Sequence, residues 1–289
     1  MREEHHKISV GRLARTFQEP RSSVGRWVAA ERPCQSPRRR RPVGDDAALR
    51  EAVRREALHP RQGRFGYRRI TAVLRRKTWR VNRKTVYRIM KEEALLQDRI
   101  WRRPQRPRRV EKMRPGRPNQ GWQIDMTSLQ LSDLTPLYLV TVIDCCTRQI
   151  VGWMLDRRCR AREWTAAVRM ALDWAGLVEK AQAQAAGLVL RSDNGAQPCS
   201  KAFVEFLGRR GVRGQYTGYD APDDNAYVER VIRTIKEEEI WPNQWDTWSE
   251  AHAAIGQYVA YNNNERIHSA LAYRTPNEAA AAYVTLAAA

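Results

Sequence analysis

The chain has 289 residues, 42% of them hydrophobic, enough to bury a core spread over roughly two domains. It holds no run near the roughly 18 apolar residues of a membrane span and no apolar stretch of a secretory signal, so an intracellular protein with no membrane partner is expected. The net charge of +20 is unevenly placed: residues 1 to 118 carry 35 Lys and Arg against 12 Asp and Glu, and residues 119 to 289 carry 17 against 20. An excess that is one-sided and dominated by arginine points to nucleic acid, because the planar guanidinium matches phosphate and surfaces that merely solvate mix both signs.

In chain order, Ile8 to Ala30 reads as two short helices broken at Gln18-Glu19-Pro20, with Val10, Leu13, Ala14 and Phe17 apolar on the first and Val24, Trp27 and Val28 on the second. Ser22 and Ser23 can cap the second helix while Arg21 and Arg26 face outward, the outline of a DNA-contacting helix-turn-helix that any small helical hairpin shares. Residues 1–33 are therefore read as a helix-turn-helix-like segment, and residues 34–50, with Arg38 to Arg41, as a basic linker. In a second such unit, residues 51–97, Tyr67, Ile70, Val73 and Leu74 recur at helical spacing, and Asn82 caps a helix carrying Val86, Ile89 and Met90. Its DNA-facing candidates are Arg68, Arg69, Arg83, Lys84 and Arg88. Residues 98–118 form an Arg- and Pro-rich tether in which Arg102, Arg103, Arg108 and Arg109 can track a DNA backbone.

Past residue 118 the composition turns apolar and β-forming. Trp122 to Leu131, Leu137 to Cys145 and Gln149 to Leu155 predict an antiparallel meander, followed by a helix from Arg162 to Gly176 and a strand from Leu188 to Ser192. A helix from Lys201 to Arg209, a short strand at Val212 to Tyr216, a loop at Gly218 to Asp223 and a helix from about Asp224 to Ile240 complete a mixed sheet with helices on its faces. That makes residues 119–243 an α/β core and residues 244–289 a C-terminal helical segment.

Three carboxylates stand out in the core. Asp125 lies inside an apolar strand, where a carboxylate is costly to bury unless a cation compensates it; Asp193 ends a strand, where sheets with covering helices hold ligands; Glu229 lies one turn into a helix and projects from its margin. Two strand acids and one helix acid suit a pair of magnesium ions acting on a phosphodiester, since magnesium takes hard oxygen ligands. Asp144 also ends a strand but reads as structural, Asp223 and Asp224 read as helix caps, and Glu237, Glu238 and Glu239 as a solvated helix end. Cys34, Cys145, Cys146, Cys159 and Cys199 show no zinc spacing and no paired framework, and His5 and His6 read as terminal residues.

These residues resemble the DDE transposases and retroviral-type integrases, most closely the orfB-type transposases of the insertion sequence 3 family. The resemblance is carried by Trp122-Gln-Ile-Asp-Met-Thr127, Val142-Ile-Asp-Cys-Cys-Thr-Arg148, Ile150-Val-Gly-Trp153, Arg191-Ser-Asp-Asn-Gly195 and Asp224-Asn-Ala-Tyr-Val-Glu229, with 35 residues between Asp193 and Glu229. Lys236, Tyr261-Asn262, Arg266, His268-Ser269 and Thr275-Pro276 match the family's closing part, and Phe65 to Ile70, Val81-Asn82 and Val86-Tyr87-Arg88 its helix-turn-helix region.

The resemblance implies a ribonuclease H-like core of five mixed strands behind an all-α DNA-binding region. It implies an enzyme that binds terminal inverted repeats, cleaves a strand to expose a 3′ hydroxyl and joins it to target DNA. Asp125, Asp193 and Glu229 would be its catalytic metal ligands for two Mg2+, with Mn2+ as a substitute, and Lys236 and Arg233 would lie on DNA. The implied partners are double-stranded DNA and at least a second copy of the chain, in the bacterial cytoplasm. The family also fuses an upstream-frame product to this one; with its own Met1 and no heptad run, the chain is expected to be the downstream product. A nuclease that only hydrolyses would share the three acids without needing tandem helix-turn-helix units, and a non-catalytic DNA-binding regulator would need no acids.

Overall fold

Apolar residues spaced three and four apart build the first helices. The computed structural model describes residues 15–18, 46–61, 65–96, 113, 115–217 and 225–288. Arg21, Arg26, Arg102, Arg103, Arg108, Arg109 and the 218–224 segment with Asp223 and Asp224 lie outside them. The chain divides into two units, Met1–Glu51 and Ala52–Ala289, and apart from the first residues of the helix that crosses this boundary the second carries everything below. Helix α1 (Asp46–Ala57) contributes buried Ala52, Val53 and Ala57; α2 (Tyr67–Arg76) buries Ile70, Val73 and Leu74; α3 (Arg83–Glu92) buries Val86, Ile89 and Met90. The Asn82 side chain accepts a hydrogen bond from the Lys84 amide at 2.9 Å, the cap expected from the sequence.

The sheet follows the expected meander. Strands β1 (Gly121–Gln130), β2 (Pro136–Asp144) and β3 (Ile150–Asp156) are antiparallel neighbours, and β4 (Val189–Ser192) and β5 (Arg213–Tyr216) add in parallel on the other side of β1, giving the order β3-β2-β1-β4-β5. Alternation splits the core in two. On β1 and β2, Trp122, Ile124, Val140 and Val142 face one cluster, which α4 (Ala161–Ala175) and α6 (Lys201–Arg210) cover with Trp164, Val168, Phe203 and Leu207. Leu129, Leu137, Leu139 and Ile143 face the other, covered by α7 (Ala226–Ile235) and α8 (Trp248–Asn264) with Val228, Ile232, Ile255 and Tyr258. A short helix between α4 and β4, α5 (Lys180–Ala186), was not expected from the sequence. Helix α9 (Pro276–Ala288) ends the chain. Among the described residues no helix is long and apolar enough to cross a membrane.

Helix α7 runs on into a π-helical turn, Lys236–Ile240, closed by Trp241 N–H donating to the Lys236 carbonyl at 2.9 Å. This turn corrects the reading of Glu237, Glu238 and Glu239 as a solvated end. Glu238 is 7% exposed and forms two bonds to Arg266, itself 4% exposed: Nη2 donates at 2.7 Å and Nε at 2.8 Å. The Tyr258 hydroxyl donates to the same carboxylate at 2.9 Å, and Glu239 is buried as well. The apolar stripe Val228, Val231, Ile232 and Ile235 carries these acids inward by simple helical spacing, and Arg266 neutralises the one that points at it.

The helical region is fastened to the core. Arg61 donates to the Gln257 carbonyl at 3.2 Å, the Tyr261 hydroxyl donates to the Arg61 carbonyl at 3.1 Å, and Arg76 of α2 pairs with Glu278 of α9, whose carboxyl that guanidinium holds down at about 2.

Gly152 on β3 lets α4 approach: a Cβ there would stand 2.2 Å from the Ala167 carbonyl oxygen and 2.9 Å from Ala171. Gly152→Ala should cost about 1–3 kcal/mol or more of stability in urea unfolding; an unchanged midpoint would mean that the helix can lift away freely.

Candidate active site

One strand interior, one strand end and one helix supply the carboxylates. On β1 the alternation that buries Trp122 and Ile124 against one core turns Gln123 and Asp125 toward the other face, where α7 packs. Strand β4 pairs with β1 in the register Gly121↔Val189, Trp122↔Leu190 and Gln123↔Arg191. Carried two residues further, that register sets Asp193, just past the end of β4, beside Asp125.

The helix is tied to the same strand. Gln123, 1% exposed, accepts from the amides of Tyr227 at 2.9 Å and Val228 at 3.1 Å, so a side chain two residues before Asp125 caps the first turn of α7. Asn225, at the N-cap position, donates to the Ile124 carbonyl at 3.3 Å. These three bonds set the height of Glu229 relative to Asp125. Lys236 follows Glu229 by seven residues, two helical turns, and so returns to roughly the same face.

The electrostatics agree with the geometry. Burial, followed by the like charges of Asp193 and Glu229, pushes the Asp125 carboxyl up to about 6, against the opposing pull of the Met126 amide and of Lys236. Asp125 is half-buried, and its Oδ1 accepts from the Met126 amide at 2.7 Å; Asp193 and Glu229 are exposed, and Asp193 Oδ1 accepts from the Gly195 amide at 3.2 Å. Among the described residues no three His, Cys, Asp or Glu side chains stand close enough to hold a metal as they are. The donor chemistry nevertheless fits a divalent cation: all three are hard carboxylates, and the innermost resists ionising because it is buried and faces the like charges of the other two.

Asp144, by contrast, is structural as expected. Its carboxylate accepts from the amides of Asn119 at 2.6 Å, Cys146 at 2.7 Å and Thr147 at 2.8 Å, which closes the turn into β3. Among the DNA-facing candidates, Arg68, Arg83, Lys84 and Arg88 are exposed, and Arg68 and Arg83 line a basic groove with Arg75, Arg76 and Arg274. Arg69 turns inward instead, its guanidinium 5.0 Å from the Phe65 ring centre. Arg233 pairs with Glu237 at 2.7 Å. Sequence reasoning passed over Gln123 and Asn225; the available signal was a glutamine amid the apolar residues of β1, which has to find partners when buried.

Sheet order, one acid within the central strand, one just past its parallel neighbour and a capped helix bearing the third acid define an integrase-type, ribonuclease H-like core preceded by a helix-turn-helix-like region. Accordingly, integrase core domain families match residues 115–218 and 210–276, and an HTH-like domain family matches residues 45–105. The chain is 30% identical over 229 residues to the insertion element IS407 uncharacterized 31.7 kDa protein of Burkholderia multivorans, covering 78% of each. It is 30% identical over 233 residues to the transposase for insertion sequence element IS904 of Lactococcus lactis subsp. lactis, covering 76% of this chain and 89% of that one. It is also 31% identical over 153 residues to transposase InsF for insertion sequence IS3A of Escherichia coli, covering 53% and 50%. The chain belongs to the insertion sequence 3 family of transposases.

Two measurements test the site without any catalytic assay. Because the Asp125 carboxyl stands above its ordinary 3.8, its ionisation opposes folding: the penalty is absent at pH values below 3.8 and complete once pH has risen through about 6. Carboxyl NMR in metal-free buffer should therefore show Asp125 titrating near 6 and moving down in Asp193→Asn; an unmoved midpoint would separate the two acids. Gln123→Ala should lower stability by about 1–3 kcal/mol and speed hydrogen exchange at the Tyr227 and Val228 amides. Unaltered exchange there would show that the cap is dispensable.

Proposed function

We propose that this transposase binds the terminal inverted repeats of its element, cleaves a DNA strand to expose a 3′ hydroxyl, and joins that hydroxyl to target DNA by direct transesterification. One observation carries the reading: the β4–β1 register brings Asp193 beside Asp125, and Gln123 on the same strand caps the helix that bears Glu229, so three acids distant in the chain are borne by elements measured from one strand. Asp125, Asp193 and Glu229 would hold two Mg2+ ions, with Mn2+ able to substitute. When bound, such ions activate a water or hydroxyl and stabilise the departing oxygen.

The chain's own residues do the rest. Asp125, half-buried on the central strand, is the rigid member of the set, while Asp193 and Glu229, exposed at its rim, close on it when positive charge is present. Lys236, on the Glu229 face, holds a DNA phosphate near the cleaved bond, with Arg233 beside it. The helix-turn-helix-like domains, residues 1–33 and 51–97, read the element ends through Arg21, Arg26, Arg68, Arg83, Lys84 and Arg88, and the 34–50 and 98–118 linkers follow the backbone through Arg102, Arg103, Arg108 and Arg109. Residues 119–243 perform the chemistry, and residues 244–289 brace it. Synapsis of two ends requires at least a homodimer, acting in the bacterial cytoplasm, and the upstream-frame product of the same element is a further partner.

The test is incubation of the purified chain with element ends and Mg2+, mapping nicked and joined products at nucleotide resolution. Asp125→Asn, Asp193→Asn and Glu229→Gln should each reduce both products by about 10^4 while sparing DNA binding. Joining that survives in Asp193→Asn would refute the assignment, and cleavage without joining would leave only a nuclease.

A further inference from the structure

On the far flank of α7 from the carboxylates lies a second site. Arg230 and Thr234 line it; both are turned roughly 100° or more round the helix from Glu229. The cavity holds about 290 Å³, at the lower edge of ligand pockets, and lies where α2, the β2–β3 turn, α7 and the segment after α8 meet. Asn262 and Arg266 are buried in its floor, and Arg230 and Ser269 are exposed at its rim.

Its charge is unbalanced. Four arginines line it: Arg69, Arg148, Arg230 and Arg266. Glu238 neutralises Arg266. Among the described residues the other three have no carboxylate in salt-bridge range; Arg69 rests on Phe65, and Arg148 lies 3.7 Å over the Tyr227 ring. Arg148 also has a buried Nη1 with no hydrogen-bond partner and a backbone in the left-handed region, φ +65°. An unmet guanidinium donor and an unfavourable turn conformation both oppose folding, and the stacking on Tyr227 leaves that donor unsatisfied. Burial, then Arg266, Arg69 and Arg148, push His268 in the same cavity down to about 3, which leaves the imidazole neutral and able to accept or donate without adding charge.

We infer that this cavity binds a phosphate group, clamped by Arg69, Arg148 and Arg230 with Asn262 and His268 as neutral partners. Three guanidinium forks with no carboxylate in salt-bridge range among the described residues suit the several acceptor oxygens and the charge of phosphate better than a single carboxylate. The phosphate comes either from a DNA strand that passes between the helical region and the core, or from free phosphate. The site goes beyond the proposed strand transfer and does not depend on the three acids, so Asp193→Asn should bind phosphate as the wild type does.

The experiment uses the full chain with inorganic phosphate at low ionic strength, read by calorimetric titration and thermal shift, and with random-sequence duplex DNA across a salt series. Arg230→Gln, at the rim, and Arg69→Gln, as an independent second variant, should each weaken phosphate binding about tenfold. Arg209→Gln, on the exposed side of α6, controls for bulk charge and should leave it unchanged. If phosphate competes with DNA and the two variants lower the salt slope of DNA binding by about one, the group is a strand phosphodiester. If DNA binding is untouched while phosphate binding falls, it is free phosphate. If neither variant differs from Arg209→Gln in either assay, the inference is wrong.

Discussion

A β-strand presents successive side chains to opposite sides, and β1 uses that alternation to serve two purposes. Trp122 and Ile124 root it in the core under α4 and α6, and this anchorage lets Asp125 sit half-buried on the other face without the strand slipping to relieve it. A slip of one residue would exchange the two sets. The parallel pairing with β4 and the Gln123 cap on α7 then set the elements that carry Asp193 and Glu229 relative to Asp125, because each is measured from β1 itself.

The buried pair Glu238–Arg266 plays a comparable part at the other end of α7. Two charges removed from water gain little net stability, but each is costly without its partner. Their effect is directional: they fix the segment after α8 against the π-helical turn, and with it the wall formed by Asn262, Arg266 and His268. Phe65 and Arg61 extend that wall to the helical region, through the Arg69 and Tyr261 contacts. The helices of residues 65–96 and the helix that bears Glu229 therefore share supports within one unit.

Much of this was legible in the sequence because strand alternation and helix spacing are local. The three meander strands, α4, α6 and the Asn82 cap all follow from them, as does the structural role of Asp144 beside a turn. What escaped depends on partners far along the chain. Glu238 belongs to an acidic run that composition assigns to solvent, and only Arg266, 28 residues on, makes its inward path tolerable. Arg69 looks like its neighbour Arg68 in sequence, yet the ring of Phe65 draws it inward. Helix α5 was overlooked although Glu179 and Gln182 form a capping box and Gly187 follows in the left-handed region; seven residues are too few for spacing to stand out. The three acids were grouped from the sequence, but the register that sets Asp193 beside Asp125 is given only by the pairing of β4 with β1.

The π-helical turn bears on how this protein can change over generations. It accommodates one residue more than an α-turn of the same height, so Glu229 and Lys236 keep their common side while Glu238 still meets Arg266. Removing one residue between Lys236 and Ile240 would close the turn into an ordinary α-turn and leave what lies beyond it facing as before, but Glu238 would no longer be carried to Arg266 by the widened turn. Substitutions that spare Glu238 can keep that contact, whereas a change of length cannot do so without re-forming the turn.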